Sequence, residues 1–596
     1  RRHADLQPVH RHDVRRGRFG LGSIYKIGTG RLALTGVSTY TGATMVVGGT
    51  LEVDGSIAAS SSVIVNTGST LSGIGIVDPA TTTIASGGTL APGNAANPTG
   101  TLTITGNLAF QSGAIYLVQV TPSAAASTNV SGTATPGGAT VKAVFAGGSS
   151  FSKRYTILSA AGGVSGTFGS LVNTNLPANF TTVLSYDSNN AYLNLSLAPA
   201  SGLNINQQNV ANGLVNFFNS TGGIPAVYAN LSPAGLTQAS GESATGSQQA
   251  TFDAMSQFMG LMTDPFMRDA GCSSSAVTRD RCDNPAGPTG YADDGRADAY
   301  AMFTKAPLRG RPFEQRWSVW AAGFGGTQTT EGNAIVGSNQ ATSRIFGTAV
   351  GADYLISPNT LAGFALSGGG TSFGVSGLGG GRSDLFQAGA YVHHTSGPAY
   401  VTAALAYGWQ DVTTDRTVTI TGADRLRAEF NANAWSGRLE GGYRFVAPWI
   451  GGVGLTPYAA AQATTFQLPS YAEQVISGAP AFALNYAAKD VTDARSELGL
   501  RSDKSFAQQS GVLTLRGRLA WAHDFNPNRT IAATFQALPG ASFVVNGAAQ
   551  ARDSALTTAS AEMKWLNGWS AAATFEGEFS QVTRSYAGKG VVRYAW

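Results

Sequence analysis

Charge is scarce in this sequence: Asp, Glu, Lys and Arg together account for 12% of 596 residues. Long apolar runs are missing as well, although 43% of the chain is hydrophobic. A membrane-crossing helix requires a stretch of about 18 apolar residues, so a helical membrane protein is excluded. The formal net charge of +4 is small for this length and argues against a nucleic-acid partner. Cysteine is limited to Cys272 and Cys282, in a Gly/Ser/Asp-rich stretch. In an exported chain, cysteines this close fit a small disulfide loop, and two unpaired thiols also fit. No metal site and no cofactor are expected, because the acidic residues beside the cysteines have no His among them. Between residues 28 and 200 there is no His at all, which leaves hydrolytic chemistry there without its usual base.

A chain this long exceeds one ordinary core, so two or more units are expected. Residues 1–27, from Arg1-Arg2-His3 to Arg15-Arg16-Gly17-Arg18, form a basic leader that reads as disordered, with His3, His10 and His12 belonging to it rather than to a metal site. It holds no apolar segment of the secretory kind, so the export signal is expected to lie ahead of these residues. Residues 28–200 are Gly, Thr, Ser, Ala and β-branched residues in short alternating runs. Seven charged residues lie between Tyr40 and Ala200, and none from Pro79 to Thr140. The phrases Gly49-Thr50-Leu51, Ser69-Thr70-Leu71, Gly88-Thr89-Leu90 and Gly100-Thr101-Leu102 recur, with 20 residues from Leu51 to Leu71 and 19 from Leu71 to Leu90. That period predicts a β-solenoid with one coil per repeat. Gly serves its corners and Val, Leu and Ile at alternate positions fill its interior. A β-sandwich, the competing architecture, carries a more charged outer face.

Residues 201–263 change period. Val210, Leu214, Phe217 and Phe218, then Phe252, Met255, Met259 and Met262, recur at helical spacing and predict two helical stretches separated by Gly222-Gly223-Ile224-Pro225. A linker packing on itself and a segment threading a pore share this pattern. Residues 264–315 read as a flexible linker.

From Arg316 onward the pattern is strand, turn, strand. Val401, Ala403, Leu405, Tyr407 and Trp409 alternate with Thr402, Ala404, Ala406, Gly408 and Gln410. Trp435, Leu439, Tyr443 and Phe445 oppose Arg438, Glu440 and Arg444; Leu513, Leu515, Leu519 and Trp521 oppose Arg516 and Arg518; Trp569, Phe575 and Phe579 oppose Glu576 and Glu578. Charge on the lipid face costs up to a few kcal/mol at the midplane, so these charges are expected to face a wet or protein-filled lumen. Twelve strands are predicted, approximately 316–328, 344–356, 360–373, 383–396, 399–410, 432–446, 454–468, 490–503, 511–525, 555–566, 569–581 and 586–596. The connections alternate between short (357–359, 396–398, 567–568) and long (329–343, 411–431, 469–489, 526–554). Short turns belong on the periplasmic side and long loops outside. The fold class is therefore all-β: an N-terminal β-solenoid, a helical linker and a 12-stranded antiparallel transmembrane β-barrel over 316–596, with outer-membrane lipid as its surroundings.

The arrangement resembles the classical monomeric autotransporters of type V secretion. Gly28-Thr29-Gly30-Arg31-Leu32-Ala33-Leu34-Thr35-Gly36, Tyr40-Thr41-Gly42-Ala43-Thr44 and Gly49-Thr50-Leu51 are similar to that family's passenger-associated repeat. Tyr155-Thr156-Ile157-Leu158-Ser159-Ala160 with Gly166-Thr167-Phe168 resembles the end of such passengers, where a folding-nucleating segment is often found. Arg316-Trp317-Ser318-Val319-Trp320 and Val592-Arg593-Tyr594-Ala595-Trp596 resemble the start and end of the translocator barrel, with Trp596 where the family usually has Phe. The resemblance implies that Val592, Tyr594 and Trp596 form the assembly signal. The implied partners are the barrel-assembly machinery and periplasmic chaperones, and the barrel is implied to be monomeric. It also implies that a helix carrying Phe252, Met255, Met259 and Met262 crosses the lumen, and that the passenger is adhesive or structural, with its ligand (host surface, matrix or self) left open.

Competing functions are weaker on the residues. No G-x-S-x-G, H-E-x-x-H or Gly-Asp-Ser-Leu element occurs. Glu242-Ser243 reads as an ordinary polar pair in a linker. For a barrel-rim enzyme the candidates are His523 with Asp524 and His393 with His394, but neighbours on a strand point to opposite faces, so His523 and Asp524 are not expected to pair. A diffusion porin, or an enzymatic passenger without a recognised motif, completes the alternatives.

Overall fold

A computed structural model describes residues 4–6, 12–14, 20–77, 80–263, 316–447 and 452–596. Cys272 and Cys282 lie outside the described residues. The chain divides into two compact units, residues 1–202 with 211–233, and residues 203–210 with 234–596.

The first unit is a parallel β-helix of three sheets. One sheet stacks 12–14, 31–34, 49–53, 69–73, 89–92, 115–120, 140–145 and 170–174 in chain order. Its ladder sets Leu32 beside Leu51, Leu51 beside Leu71, Leu71 beside Leu90 and Leu90 beside Tyr116. These five side chains are fully buried, so the recurring leucine is the interior column of the solenoid and its burial drives the stacking. The fourth phrase differs: Leu102 belongs to another sheet, pairing with Thr128. From Leu90 the coil lengthens and the leucine column passes to Tyr116 instead. Gly49 turns a corner at φ +64°, where an added Cβ would lie 2.4 Å from the Gly30 carbonyl oxygen of the coil below; only glycine fits that approach. Within residues 1–27 the described residues include three short strands. Ala4–Leu6 pairs in parallel with Ile24–Lys26, and His12–Val14 with Arg31–Leu34. Three-residue strands are too short for period 2 to register in a sequence.

The solenoid ends by changing strand direction. Strand Arg154–Ala160 continues the parallel ladder from Ser127–Val130 on one edge and receives the antiparallel Asn190–Leu197 on the other, which pairs in turn with Phe180–Tyr186. Phe168 stacks on Tyr116, with ring centroids 5.5 Å apart. Helix Ile205–Thr221 contributes Phe218, 5.7 Å from the Phe180 ring. A cluster of aromatics thus covers the last coil, whose interior would otherwise be wet.

The second unit is a closed antiparallel barrel. Its strands are β1 Trp317–Thr330, β2 Ala341–Ser357, β3 Thr360–Val375, β4 Gly379–Ser396, β5 Ala399–Val418, β6 Asp424–Tyr443, β7 Val453–Leu468, β8 Lys489–Gln508, β9 Gly511–Asp524, β10 Asp553–Trp565, β11 Trp569–Phe579 and β12 Thr583–Ala595. Each pairs with the next, and β12 pairs with β1 from Ser318–Ala595 to Thr330–Thr583. No strand edge is left for lipid to meet, as a bilayer demands. Trp596 completes the seam: its N–H donates to the Trp317 carbonyl at 3.0 Å, and the Trp317 N–H donates back at 3.3 Å.

One end of the barrel carries the turns 358–359, 397–398, 509–510 and 566–568; the other carries 331–340, 376–378, 419–423, 469–488, 525–552 and 580–582. The first end is the periplasmic one by length. The long connection expected at 411–431 is absent, because β5 and β6 run on and leave only 419–423 between them. Here the alternation inverts. Val412, Val418, Leu426 and Phe430 are buried while Asp411, Arg425 and Glu429 are outside, which is the pattern of a hairpin standing in water beyond the bilayer. The long connections expected at 469–489 and 526–554 are structured. They give a four-stranded sheet of Tyr471–Ala472, Leu484–Tyr486, Thr530–Phe535 and Ser542–Asn546, a cap over the outer end.

Candidate functional site

Helix Gly246–Met262 packs inside the barrel against β2 to β7. Phe252, Met255, Met259 and Met262, the residues singled out from the sequence, are all buried within it. Two glycines of the wall make room for the methionines: an added Cβ on Gly408 would lie 2.8 Å from Met255 Sδ, and one on Gly389 2.6 Å from Met262 Sδ. The side chains facing the helix from β3 to β5 are small or neutral, including Ala365, Ser367, Gln387, Ala404, Ala406 and Gln410. Gln387 Nε2 donates to the Ala254 carbonyl at 3.1 Å and Gln410 Nε2 to Thr251 Oγ1 at 3.0 Å. Asp253, the helix's only charged residue, accepts from Gln249 and Ser343. Lys589 reaches the Gly260 carbonyl near the helix's last turn, where a cation complements the helix dipole.

Helix direction follows from its ends. The turn Glu242–Thr245 that precedes it meets Asn339 and Gly547 of the outer loops, and Met262 meets β4 beyond its midpoint on the periplasmic side. The chain therefore enters the helix from outside. Glu242 and Ser243 are not an idle linker pair: both are buried, and the Glu242 carboxylate accepts from Asn339 N–H at 2.6 Å and Asn339 Nδ2 at 2.7 Å. Burial raises its pKa to about 7.

Charge is gathered on β6 and on β8 to β12. Arg438, Glu440, Arg516, Arg518, Glu576 and Glu578 all lie on the inner face, while Leu439, Leu515, Leu519 and Phe575 point outward. Arg438 donates to Glu497 at 2.8 Å and to Glu440 at 2.9 Å; Arg501 also pairs with Glu440. Arg516 meets Glu562 at 2.9 Å, Arg495 meets Glu578 at 2.6 Å, and Glu576 lies between Lys589 at 3.2 Å and Arg518 at 4.0 Å. Arg444 is placed differently from the rest: it lies past the end of β6 at the periplasmic rim, half-exposed, paired with Asp503 at 2.8 Å. Sequence reasoning passed over Arg495, Glu497 and Arg501 of β8, although they alternate with the outward Leu498 and Leu500 and the same face rule finds them. Near the periplasmic rim Arg593 pairs with Asp353. The wall is thus a self-neutralising network, and no charge on the pore helix is needed to balance it.

On the closing strand Val592 and Trp596 are outward, Tyr594 stacks on Trp596 at 5.7 Å, and Val591 and Arg593 are buried. His523 and Asp524 do point apart. His523 Nδ1 lies 2.9 Å from Asp553 of β10, on the outer side, and Asp524 faces Arg495 inside. His393 and His394 each meet a threonine, Thr402 and Thr360.

A membrane-type barrel with a helix through it, preceded by a β-helix, narrows the family, and two family models match parts of the chain. Residues 319–576 match the Autotransporter beta-domain family and residues 24–53 the passenger-associated-transport-repeat family. The C-terminal half is an autotransporter β-domain. An autotransporter with this barrel belongs to the outer membrane. Similar solved structures include the translocator domain of autotransporter NalP from Neisseria meningitidis (16% identity, 50% of this chain, 95% of that chain, TM-score 0.39) and the beta domain of the Bordetella autotransporter BrkA (19%, 47%, 100%, TM-score 0.36). A curated relative, named extracellular serine protease, from Serratia marcescens, is 28% identical over 183 residues, covering 30% of this chain and 17% of the relative. The chain therefore spans a small part of the curated relative it matches.

Proposed function

We propose that the barrel carries its own β-helix to the cell surface and anchors it there, and that this passenger is adhesive or structural rather than enzymatic. The helix Gly246–Met262, entering the lumen from the outer end, is the observation that carries the reading, because it leaves the upstream residues outside. Each coil that stacks buries a further leucine of the interior column, which biases transport outward without a nucleotide. The charge-poor, His-free sequence of residues 28–200 favours a scaffold over a hydrolase. Barrel-assembly machinery and periplasmic chaperones are the proposed partners before insertion, and a host surface, matrix or second passenger the proposed ligand afterwards. Shaving whole cells with a protease is expected to release fragments of residues 28–200 while residues after Arg316 stay protected; a protected β-helix would overturn the proposal.

A second reading, a protease passenger, is favoured only by the name of the Serratia marcescens relative. Its test is a fluorophosphonate probe on cells displaying the chain: labelling within residues 28–200 would establish it, and no labelling would remove it.

A further inference from the structure

Residues 203–210 precede the pore helix by a long stretch of chain, yet they belong to the barrel unit. Their attachment is made of directional bonds to two outer loops. Ile205 N–H donates to the Ile335 carbonyl at 3.2 Å and Asn206 N–H to the Val336 carbonyl at 2.9 Å. The Asn206 side chain is buried and has four partners. Its Nδ2 donates to the Gly337 carbonyl at 3.2 Å and the Asn546 carbonyl at 2.8 Å, and its Oδ1 accepts from Asn546 N–H and Nδ2, both at 2.9 Å. The amide thus completes Asn546 as a neighbouring β-strand would. Asn209 Nδ2 adds a bond to the Val544 carbonyl at 2.9 Å, and Gln207 Nε2 one to Thr237 Oγ1 at 3.0 Å. Between Val210 and Ala234 the chain leaves this unit and then returns to it through Pro233–Ala239 toward the pore helix.

We infer that the barrel's outer loops 333–337 and 544–546 are a docking site for residues 205–209, a second, non-covalent attachment that keeps the passenger on the surface after the chain is cut between 211 and 234. The partner is the passenger's own base, recognised through carbonyls that accept from the side-chain amides of Asn206 and Asn209. A fragment ending past Thr221 in that interval keeps helix Ile205–Thr221 whole, and with it both the clamp and the helix's Phe218 contact to the β-helix. Nothing about the covalent route through the pore is needed for this grip. It rests on the autotransporter reading only in that the β-helix lies outside.

The test uses the full chain in outer-membrane vesicles, with the recognition sequence of a site-specific protease inserted after the exposed Ser232. After cutting, the 1–232 fragment is expected to sediment with the vesicles. In Asn206→Ala/Asn209→Ala, and in Asn206→Asp, which faces two carbonyls with an acceptor, it is expected to leave at least about tenfold faster, equivalent to about 1.4 kcal/mol. Heat-modifiable migration of the barrel checks that each variant has assembled. A second measurement needs no variant: a synthetic peptide of residues 201–212 is expected to displace the fragment from cut wild-type vesicles. Immediate loss of the wild-type fragment, retention by the assembled variants equal to wild type, or indifference to the peptide would each overturn the inference. Failure of surface exposure in the uncut chain would instead strike at the autotransporter reading.

Discussion

Glu242 lies where the chain dives into the barrel, with both carboxylate oxygens taken by Asn339. Its pKa in the fold is about 7 against an ordinary 4.5, so the folded state holds the proton more tightly than the unfolded one. The stabilising contribution is complete below about 4.5 and is lost as pH rises through about 7, a span worth about 3 kcal/mol. Thermal melting of the detergent-solubilised chain is expected to fall across that window, and Glu242→Gln to flatten the curve. Glu497 tests the lumen network. It accepts from Arg438 and Tyr458 and faces Arg518. Removing it in Glu497→Ala strands buried cations at a cost of about 3 kcal/mol, seen as a lower temperature for loss of the heat-modifiable band. An unchanged temperature would mean that water, rather than ion pairing, satisfies those guanidinium groups.

At the level of elements, the pore helix is held by fit, by neutral hydrogen bonds from Gln387 and Gln410, and by the charged contacts of Asp253 with Ser343, of Lys589 with the Gly260 carbonyl and of Arg529 with Gln249. Gly408→Leu would push a branched side chain into the place of Met255, and overpacking of this kind typically costs about 1–3 kcal/mol. Planar-bilayer recordings are expected to show small, intermittent current in the wild type, longer open times in Gly408→Leu and a large steady current when residues 246–262 are deleted. A large steady current in the intact chain would favour a porin. The same elements explain what could be read from the sequence. Lipid outside and charge inside give the twelve strands an alternation that Leu439 against Arg438 makes plain. The prediction lost β5 and β6 beyond the bilayer because water on the outer face reverses the sign of the pattern. Glu473, which accepts from Arg416 at 2.6 Å and from Tyr486 at 2.9 Å, holds the outer cap through partners far apart in sequence, and no local period announces them. Asn206 was invisible for the same reason: Asn546 lies 340 residues away.

For the whole molecule, closure is a property of the final strand. Deleting residues 583–596 exposes the facing edges of β1 and β11, each with backbone groups that lipid cannot satisfy. No heat-modifiable barrel and no surface-exposed β-helix are expected from that truncation; recovery of a protease-protected barrel would show that β11 can close on β1 directly. The β-helix answers to a different rule. Its ladder is parallel coil upon coil until Arg154–Ala160 meets the antiparallel pair 180–186 and 190–197, so only the end nearer the N-terminus accepts another layer. Every layer adds about 4.8 Å of height. Duplicating or excising a stretch such as Leu51–Thr70 would then act as a ruler, changing how far the tip of the solenoid rises above its base in fixed steps while the terminating hairpin stays as it is.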